Sequence, residues 1–415
     1  MIGFRVMKYL LNCEKLLPGD IILTTYDDDG SEFIREETHS KYSHAMLYVD
    51  MSIIEATSKG VFSCSPQRML FHEKSDVIVL RYCNLSNEQQ RDIVNSARFK
   101  VGTLYSYKEA YSTLYLNETS TSAKSFKQFC SRLVAQAYKK ANIPIVRNSD
   151  YCTPQDIFMS EKLKEVSEDY LCPPTPLDLY VCGTPDLVRE NQEITYQWLA
   201  NVRKLAQTKG FEVHCINHIF SFISKFKEYD ILICDWANES GYCTHYLAEK
   251  IQNSYRYDKD SFIEFYTKWR HPQIKGKKQG LANAIYGESL LTRDIILNQG
   301  RNYIASVKSY KDSQFHIFEM HCGIYKGILS LCREKLLVLL EVSKHIDFHD
   351  LDKDITYKIQ LIENLFTLTY CSPDHLFKEF SRAYKCPNRN LTSDSEGNFF
   401  IPTTDDFEYD ENAFT

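Results

Sequence analysis

Short apolar and β-branched runs, separated by turn residues, occupy the chain between residues 20 and 82. The runs are Asp20–Tyr26, His44–Val49, Ile53–Thr57 and Asp76–Tyr82. Each has the length of an ordinary strand and lies next to Gly, Asp, Asn or Ser residues that favour turns. The pattern predicts an antiparallel sheet.

Apolar residues at helical spacing follow the predicted sheet. Ser86 and Gln89 have the spacing of a capping box and begin a predicted helix over 87–100. An amphipathic helix is predicted over 130–141, with its apolar stripe facing the sheet. A Thr-Pro cap begins a further predicted helix over 154–166. Residues 1–170 are therefore expected to form an α+β domain.

The pattern changes after a proline-rich stretch. Residues 171–185 contain Cys172-Pro-Pro-Thr-Pro and are predicted to be a linker. Residues 186–390 are predicted to form a mainly helical domain of unknown role, with one strand at 229–234 and helices over 190–208, 245–270, 322–345 and 354–369. Residues 391–415 are expected to be an acidic tail. Residues 1–170 should fold alone, unless the second half covers an apolar face of the sheet domain.

Composition restricts the function classes. The chain has 415 residues and a formal net charge of -6, so no basic surplus favours nucleic acid. No run of 18 apolar residues predicts an integral membrane segment. The 14 cysteines are scattered without metal-binding spacing, which indicates free thiols and a cytoplasmic location. No cofactor and no metal are expected.

Three residues could form a thiol site. Cys130 begins a predicted helix, where the positive end of the helix dipole favours a thiolate. His44 begins a predicted strand that would hold its ring in place, and Glu55 lies diagonal to it in plausible hairpin registers. Each residue taken alone is more often structural, because free cysteines and strand histidines are commonly buried core residues.

Several ordered motifs carry a family resemblance. They are LLPGDIIL at 16–23, SHAMLYV at 43–49, IEA at 54–56, GTLYSY at 102–107, FCSRLV at 129–134 and CTPQDI at 152–157. In this order they resemble the permuted papain-like cysteine hydrolases, closest to the YiiX-like branch of the NlpC superfamily, over residues 8–165. The resemblance implies a papain-like sheet packed on the helix that bears the nucleophile.

The same resemblance implies Cys130 as nucleophile, His44 as base and Glu55 as the third polar residue. Two departures concern substrate preference. Arg132 stands where the family usually has Glu, and Thr103-Leu104 replaces a more usual Gly-x-Pro-Tyr run.

The expected activity is that of an amidase or peptidase acting through an acyl-enzyme. Tyr105 and Tyr107 are candidates for a second oxyanion donor or for the pocket wall. One alternative is a lipid-directed thioesterase or acyltransferase, because relatives with this motif order resemble lecithin-retinol acyltransferases; another is an inactive binding protein. The expected substrate is peptide-like or an acyl or lipid compound, and the helical domain is a candidate surface for a protein partner.

Overall fold

A computed structural model describes residues 9–25, 29–113, 125–166, 169–269 and 276–367. The chain divides into two compact units, Met1–Lys225 and Phe226–Thr415. The first unit is mixed α+β and the second is helical, which confirms the predicted fold class. The predicted tail at 391–415 lies outside the described residues.

The first unit is built on antiparallel strands. In chain order the strands are β1 (Tyr9–Leu11), β2 (Ile21–Thr24), β3 (His44–Tyr48), β4 (Ile53–Thr57), β5 (Gly60–Cys64), β6 (Leu70–Phe71), β7 (Val77–Tyr82), β8 (Leu163–Glu165) and β9 (Leu171–Cys172). Six of them form a sheet in the order β5-β4-β3-β2-β7-β8, and three form a smaller sheet in the order β6-β1-β9. The predicted antiparallel sheet is therefore confirmed.

The first unit has helices at the predicted positions near 87–100, 130–141, 154 and 190–208, and further helices that were not predicted. In chain order they are α1 (Asp29–Thr38), α2 (Asn87–Phe99), α3 (Tyr107–Ser112), α4 (Cys130–Lys140), α5 (Pro154–Phe158), α6 (Pro176–Cys182), α7 (Leu187–Thr208) and α8 (Ile216–Lys225). Ser86 and Gln89 form the capping box of α2. The helix predicted over 154–166 is wrong beyond Phe158, because Leu163 enters the core and β8 pairs with β7.

The central strand β3 is covered on both faces. Ala45 and Leu47 pack in one core with α2 and α4, whereas Met46 and Tyr48 pack in a second core with residues of the smaller sheet. Alternate side chains point to opposite faces of a strand, so a strand buried on both sides reads as a continuous apolar run. This packing fixes the position of His44 at the start of β3.

Helix α7 covers the edge strand β5. The side chain of Gln192 accepts the backbone N–H of Ser63 at 2.6 Å and donates to its carbonyl oxygen at 2.7 Å, as a neighbouring strand would. The ring of Tyr196 stacks on Phe62 at 4.6 Å, and its hydroxyl donates to the carbonyl oxygen of Val61 at 2.7 Å. The helix thus satisfies an exposed sheet edge and shields an aromatic ring.

The first unit extends beyond the predicted linker. The segment 171–185 holds β9 and α6, and its end is bound by Arg68, which donates to the carbonyl oxygens of Thr184 at 2.7 Å and Pro185 at 3.0 Å. The compact unit continues through α7 and α8 to Lys225. A separate role for residues 186–390 stays a prediction.

The second unit is helical, as predicted. Its helices are α9 (Asp230–Ser240), α10 (Ala248–Gln252), α11 (Lys259–Lys268), α12 (Lys277–Ser313), α13 (His316–His345) and α14 (Asp352–Phe366). None of the helices in the described ranges combines the length and apolar composition needed to cross a bilayer.

The strand predicted at 229–234 is wrong, because these residues enter α9. Ile233, Cys234 and Ala237 are buried at helical spacing. The carboxylate of Asp230 accepts the backbone N–H groups of His316 at 2.6 Å and Ile317 at 3.0 Å, so it caps the start of α13. The apolar run over 229–234 is too short to separate strand from helix by periodicity alone.

Because α7 covers part of β5 and the Phe62 ring, we expect residues 1–170 to be a poor independent fragment. Removing α7 exposes Phe62 and leaves the backbone groups of Ser63 on β5 without their Gln192 partner, so we expect fragment 1–170 to aggregate. Fragment 1–225 should instead be monomeric and unfold cooperatively in urea. Light scattering and urea unfolding of both fragments check this, and a monodisperse fragment 1–170 with the urea midpoint of fragment 1–225 would contradict it.

Candidate active site

Cys130 is the first residue of α4. Phe129 before it is extended, so Cys130 lies where the helix dipole is positive and the first backbone N–H groups lack helical acceptors. Its side chain is buried, with 6% of its surface exposed. The sulfur forms a hydrogen bond with His44 and accepts from the backbone N–H groups of Ala45 and Ser131. All of these contacts favour a thiolate.

His44 and Glu55 meet across the β3–β4 hairpin. Met46 pairs directly with Glu55, so His44, two residues before Met46, lies diagonal to Glu55 on the same face. The His44 Nε2 atom and the Glu55 Oε2 atom are 3.0 Å apart. The two side chains retain 15% and 14% of their exposure. Because Nε2 bonds to Glu55, Nδ1 is the ring nitrogen that we assign to the hydrogen bond with Cys130.

A backbone group at the end of the β3–β4 pairing reaches the thiol. The pairing begins at Met46 and Glu55, so Ala45 lies just outside it. Its N–H donates to the Cys130 sulfur. The structure thus brings Cys130, His44 and Glu55 together as one hydrogen-bonded chain.

The three groups shift each other's protonation. Burial disfavours the charged His44 ring, but hydrogen bonds to Cys130 and Glu55 outweigh it and raise the His44 pKa to about 10. Burial likewise opposes the thiolate, but the bond and the charge of His44 hold the Cys130 pKa below its ordinary value. Burial opposes the Glu55 carboxylate too, and its contact with His44 lowers the Glu55 pKa. The two groups therefore favour each other's charged forms, the thiolate and the imidazolium.

The two candidate tyrosines occupy different positions. Tyr105 forms an isolated parallel β-bridge with Gln128, which lies two residues before Cys130. Burial and the charge of Cys130 raise the pKa of Tyr105. Tyr107 is 63% exposed, and its hydroxyl donates to the carbonyl oxygen of Ser58 at 3.2 Å. Their rings contact each other edge-on at 4.9 Å. Tyr105 thus adjoins the thiol, whereas Tyr107 closes over the β4–β5 turn.

A second ionic pair fixes the backbone around the start of α4. Arg132 is fully buried, and its guanidinium donates to both carboxylate oxygens of Glu109, at 3.1 Å and 3.2 Å. It also donates to the carbonyl oxygens of Asp150 at 2.7 Å and Lys127 at 3.1 Å. The hydroxyl of Tyr151 donates to Glu109 at 3.0 Å. Arg132 therefore connects the segments that precede and follow α4.

Two neighbours of Glu55 were not predicted from the sequence. The Cys64 thiol, diagonal to Glu55 across β4 and β5, forms a hydrogen bond with its carboxylate. The charge of Arg189 on α7 also lowers the Glu55 pKa. The hairpin alternation could have indicated Cys64, but no local motif marks Arg189. Across the described ranges, no group of three or more His, Cys, Asp and Glu side chains could hold a metal ion.

The comparisons with known proteins bear on the same region. Residues 15–169 match the family model of the permuted papain-like amidase enzymes, YaeF/YiiX. The predicted family resemblance is thereby confirmed for this region. The match supports a hydrolase of the amidase class, and both Cys130 and the His44–Glu55 pair lie within the matched residues.

Among solved structures, the chain is similar to the crystal structure of metalloprotein YiiX from Escherichia coli O157:H7. The identity is 23%, the similarity covers 38% of this chain and 99% of that chain, and the TM-score is 0.30. No curated protein matches the chain significantly.

The linked pKa values of Cys130, His44 and Glu55 predict a distinctive alkylation profile. Iodoacetamide should label Cys130 faster than the exposed Cys83 at neutral pH, and the Cys130 rate should rise at a pH below the ordinary range for thiols. His44→Ala removes the counter-ion while burial persists, so the profile should move to higher pH and the rate at pH 7 should fall about tenfold to a hundredfold. Peptide mapping by mass spectrometry measures both rates. An unchanged Cys130 profile in His44→Ala would contradict the pairing.

Proposed function

We propose that the first unit is a cysteine amidase in which Cys130 is the nucleophile, His44 the acid and base, and Glu55 the residue that orients the imidazole. The hydrogen-bonded chain from Cys130 through His44 to Glu55 is the observation that carries this proposal. A nucleophile, a base and a group that orients the base form the minimal set for acyl transfer by a thiol.

The chemistry follows from the protonation of the pair. The Cys130 thiolate attacks the substrate carbonyl carbon, forming a C–S bond and moving the carbonyl electron pair onto oxygen. The His44 imidazolium gives its proton to the departing amine as the C–N bond breaks. The neutral ring then takes a proton from water, whose oxygen attacks the thioester and releases the acid and Cys130. Glu55 stabilises the imidazolium at each turn of this cycle.

The tetrahedral oxyanion needs donors next to the sulfur. The backbone N–H of Cys130 is at the first position of α4, where helix geometry leaves it without an intrahelical acceptor. Tyr105 adjoins Cys130 and is the second donor we propose. Tyr107 already donates to Ser58, which supports a position in the wall of the site rather than a bond to the oxyanion.

The alternatives differ in the carbonyl donor. A lipid-directed thioesterase or acyltransferase would use the same thiol with an ester or thioester, and a binding protein would form no acyl-enzyme. The selection of substrate or partner by residues 186–390 also stays a prediction.

Acyl-enzyme formation separates these alternatives. We expect intact-mass spectrometry to detect an acyl group on Cys130 after mixing the full chain with activated peptide amides. His44→Ala should abolish turnover, and Glu55→Gln should retain partial activity because the base is still present but its ring is less well oriented. Circular dichroism of both variants serves as the folding control. Acylation by lipid thioesters alone would favour the lipid alternative, and acylation by no donor would overturn the enzymatic proposal.

The oxyanion assignment has its own test. Tyr105→Phe should lower kcat for an amide by about tenfold to a hundredfold, while the iodoacetamide rate at Cys130 stays unchanged because alkylation forms no oxyanion. Tyr107→Phe is the matched control and should leave kcat within about twofold of the unsubstituted protein. Equal losses in both variants would contradict the assignment of Tyr105.

A further inference from the structure

Arg189 belongs to α7, outside the residues that match the amidase family, yet it reaches the strand next to Glu55. Its guanidinium carbon lies 3.6 Å from the centre of the Phe62 ring. Phe62 pairs directly with Glu55 between β5 and β4, so the two side chains share a face of the sheet. The guanidinium therefore lies above the aromatic neighbour of the carboxylate.

The surroundings hold Arg189 in place. Its Nε atom is 3.5 Å from the carboxylate of Glu193, one turn along α7. Gln192 binds the edge of β5 at Ser63, and Tyr196 stacks on Phe62, which anchors the same helix to the same strand. The charge of Arg189 is thus fixed relative to β4 and β5 by contacts on either side of it.

The charges around Glu55 come from three elements. His44 on β3 and the Cys64 thiol on β5 contact the carboxylate, and Arg189 on α7 acts on it through space; Asp186 at the start of α7 acts on Cys64. His44 and Cys64 can both lose a proton. Arg189 stays charged at every accessible pH, so its influence on Glu55 is constant when the others titrate.

We propose that Arg189 is a positioning residue of the thiol site, which keeps the Glu55 carboxylate charged and so holds the His44 ring in the orientation that serves Cys130. This inference rests on the proposed function. It also assigns a chemical role to α7, a helix that lies beyond the family motifs.

The sign of the expected effect follows from charge alone. Removing a nearby positive charge makes protonation of Glu55 easier. As the pH falls, the carboxylate then loses its charge at a higher pH and stops stabilising the His44 imidazolium at that higher pH. The acidic limb, meaning the part of the pH–rate profile where the rate falls at low pH, should therefore move to higher pH for both Cys130 alkylation and amide turnover. A loss of folding would lower the amplitude without moving the limb.

The experiment uses the full chain with three variants. Arg189→Gln should move the acidic limb up by roughly half a pH unit to one pH unit. Arg189→Lys keeps the positive charge and should leave the limb close to its position in the unsubstituted protein. Lys59→Gln is the matched control: it removes one positive charge that also pairs with Glu193, at 3.0 Å, but from a side chain that is 65% exposed. That control should leave the limb unchanged.

A double variant locates the effect at Glu55. In a Glu55→Gln background there is no carboxylate to keep charged, so Arg189→Gln should cause no further shift. A limb that does not move in Arg189→Gln, or that moves equally in both backgrounds, would overturn the role of Arg189 while the proposed function stands. Absence of rapid, His44-dependent labelling of Cys130 in the unsubstituted protein would overturn the proposed function and this inference together.

Discussion

The joint burial of a thiol and an imidazole is the constraint on which the site depends. Either charge alone would be costly in the interior, since desolvation disfavours an isolated ion by several kcal/mol. Together they stabilise each other, and the backbone N–H groups of Ala45 and Ser131 add donors to the sulfur. The thiolate therefore requires that β3 and α4 keep one relative position. A one-residue slip of β3 would exchange the faces of its side chains and separate His44 from Glu55.

A second buried ion pair maintains that position, and it contrasts with the first. Arg132 and Glu109 are bonded at both carboxylate oxygens and to flanking backbone carbonyls, so the pair is closed to new partners. The His44–Glu55 pair keeps some solvent exposure and carries a ring that can exchange protons. The difference separates a structural ion pair from a chemically usable one. The arginine two residues after Cys130 is therefore paired with Glu109 rather than with the thiol.

Local patterns predicted those parts of the protein that are determined by local physics. The start of α4 at Cys130, the capping box of α2 and the diagonal placement of His44 and Glu55 depend on neighbours within a few residues or on one hairpin register. The end of α5 at Phe158 depends instead on pairing between β7 and β8, some eighty residues apart, and no local signal reports such pairing. The prediction of a strand at 229–234 was wrong for a related reason. A short apolar run fits both the strand period and the helix period, and packing against distant residues decides between them.

The coverage of β5 shows why a motif region and a folding unit need not coincide. Residues 15–169 match the amidase family, but their edge strand is completed by Gln192, and Tyr196 from the same helix covers Phe62. A sheet edge accepts any partner that supplies a donor and an acceptor at the right spacing. Different helices could therefore fill this position without change to the motifs. Because α7 also brings a fixed charge towards Glu55, the element that completes the sheet can tune the thiol site while every motif residue stays the same.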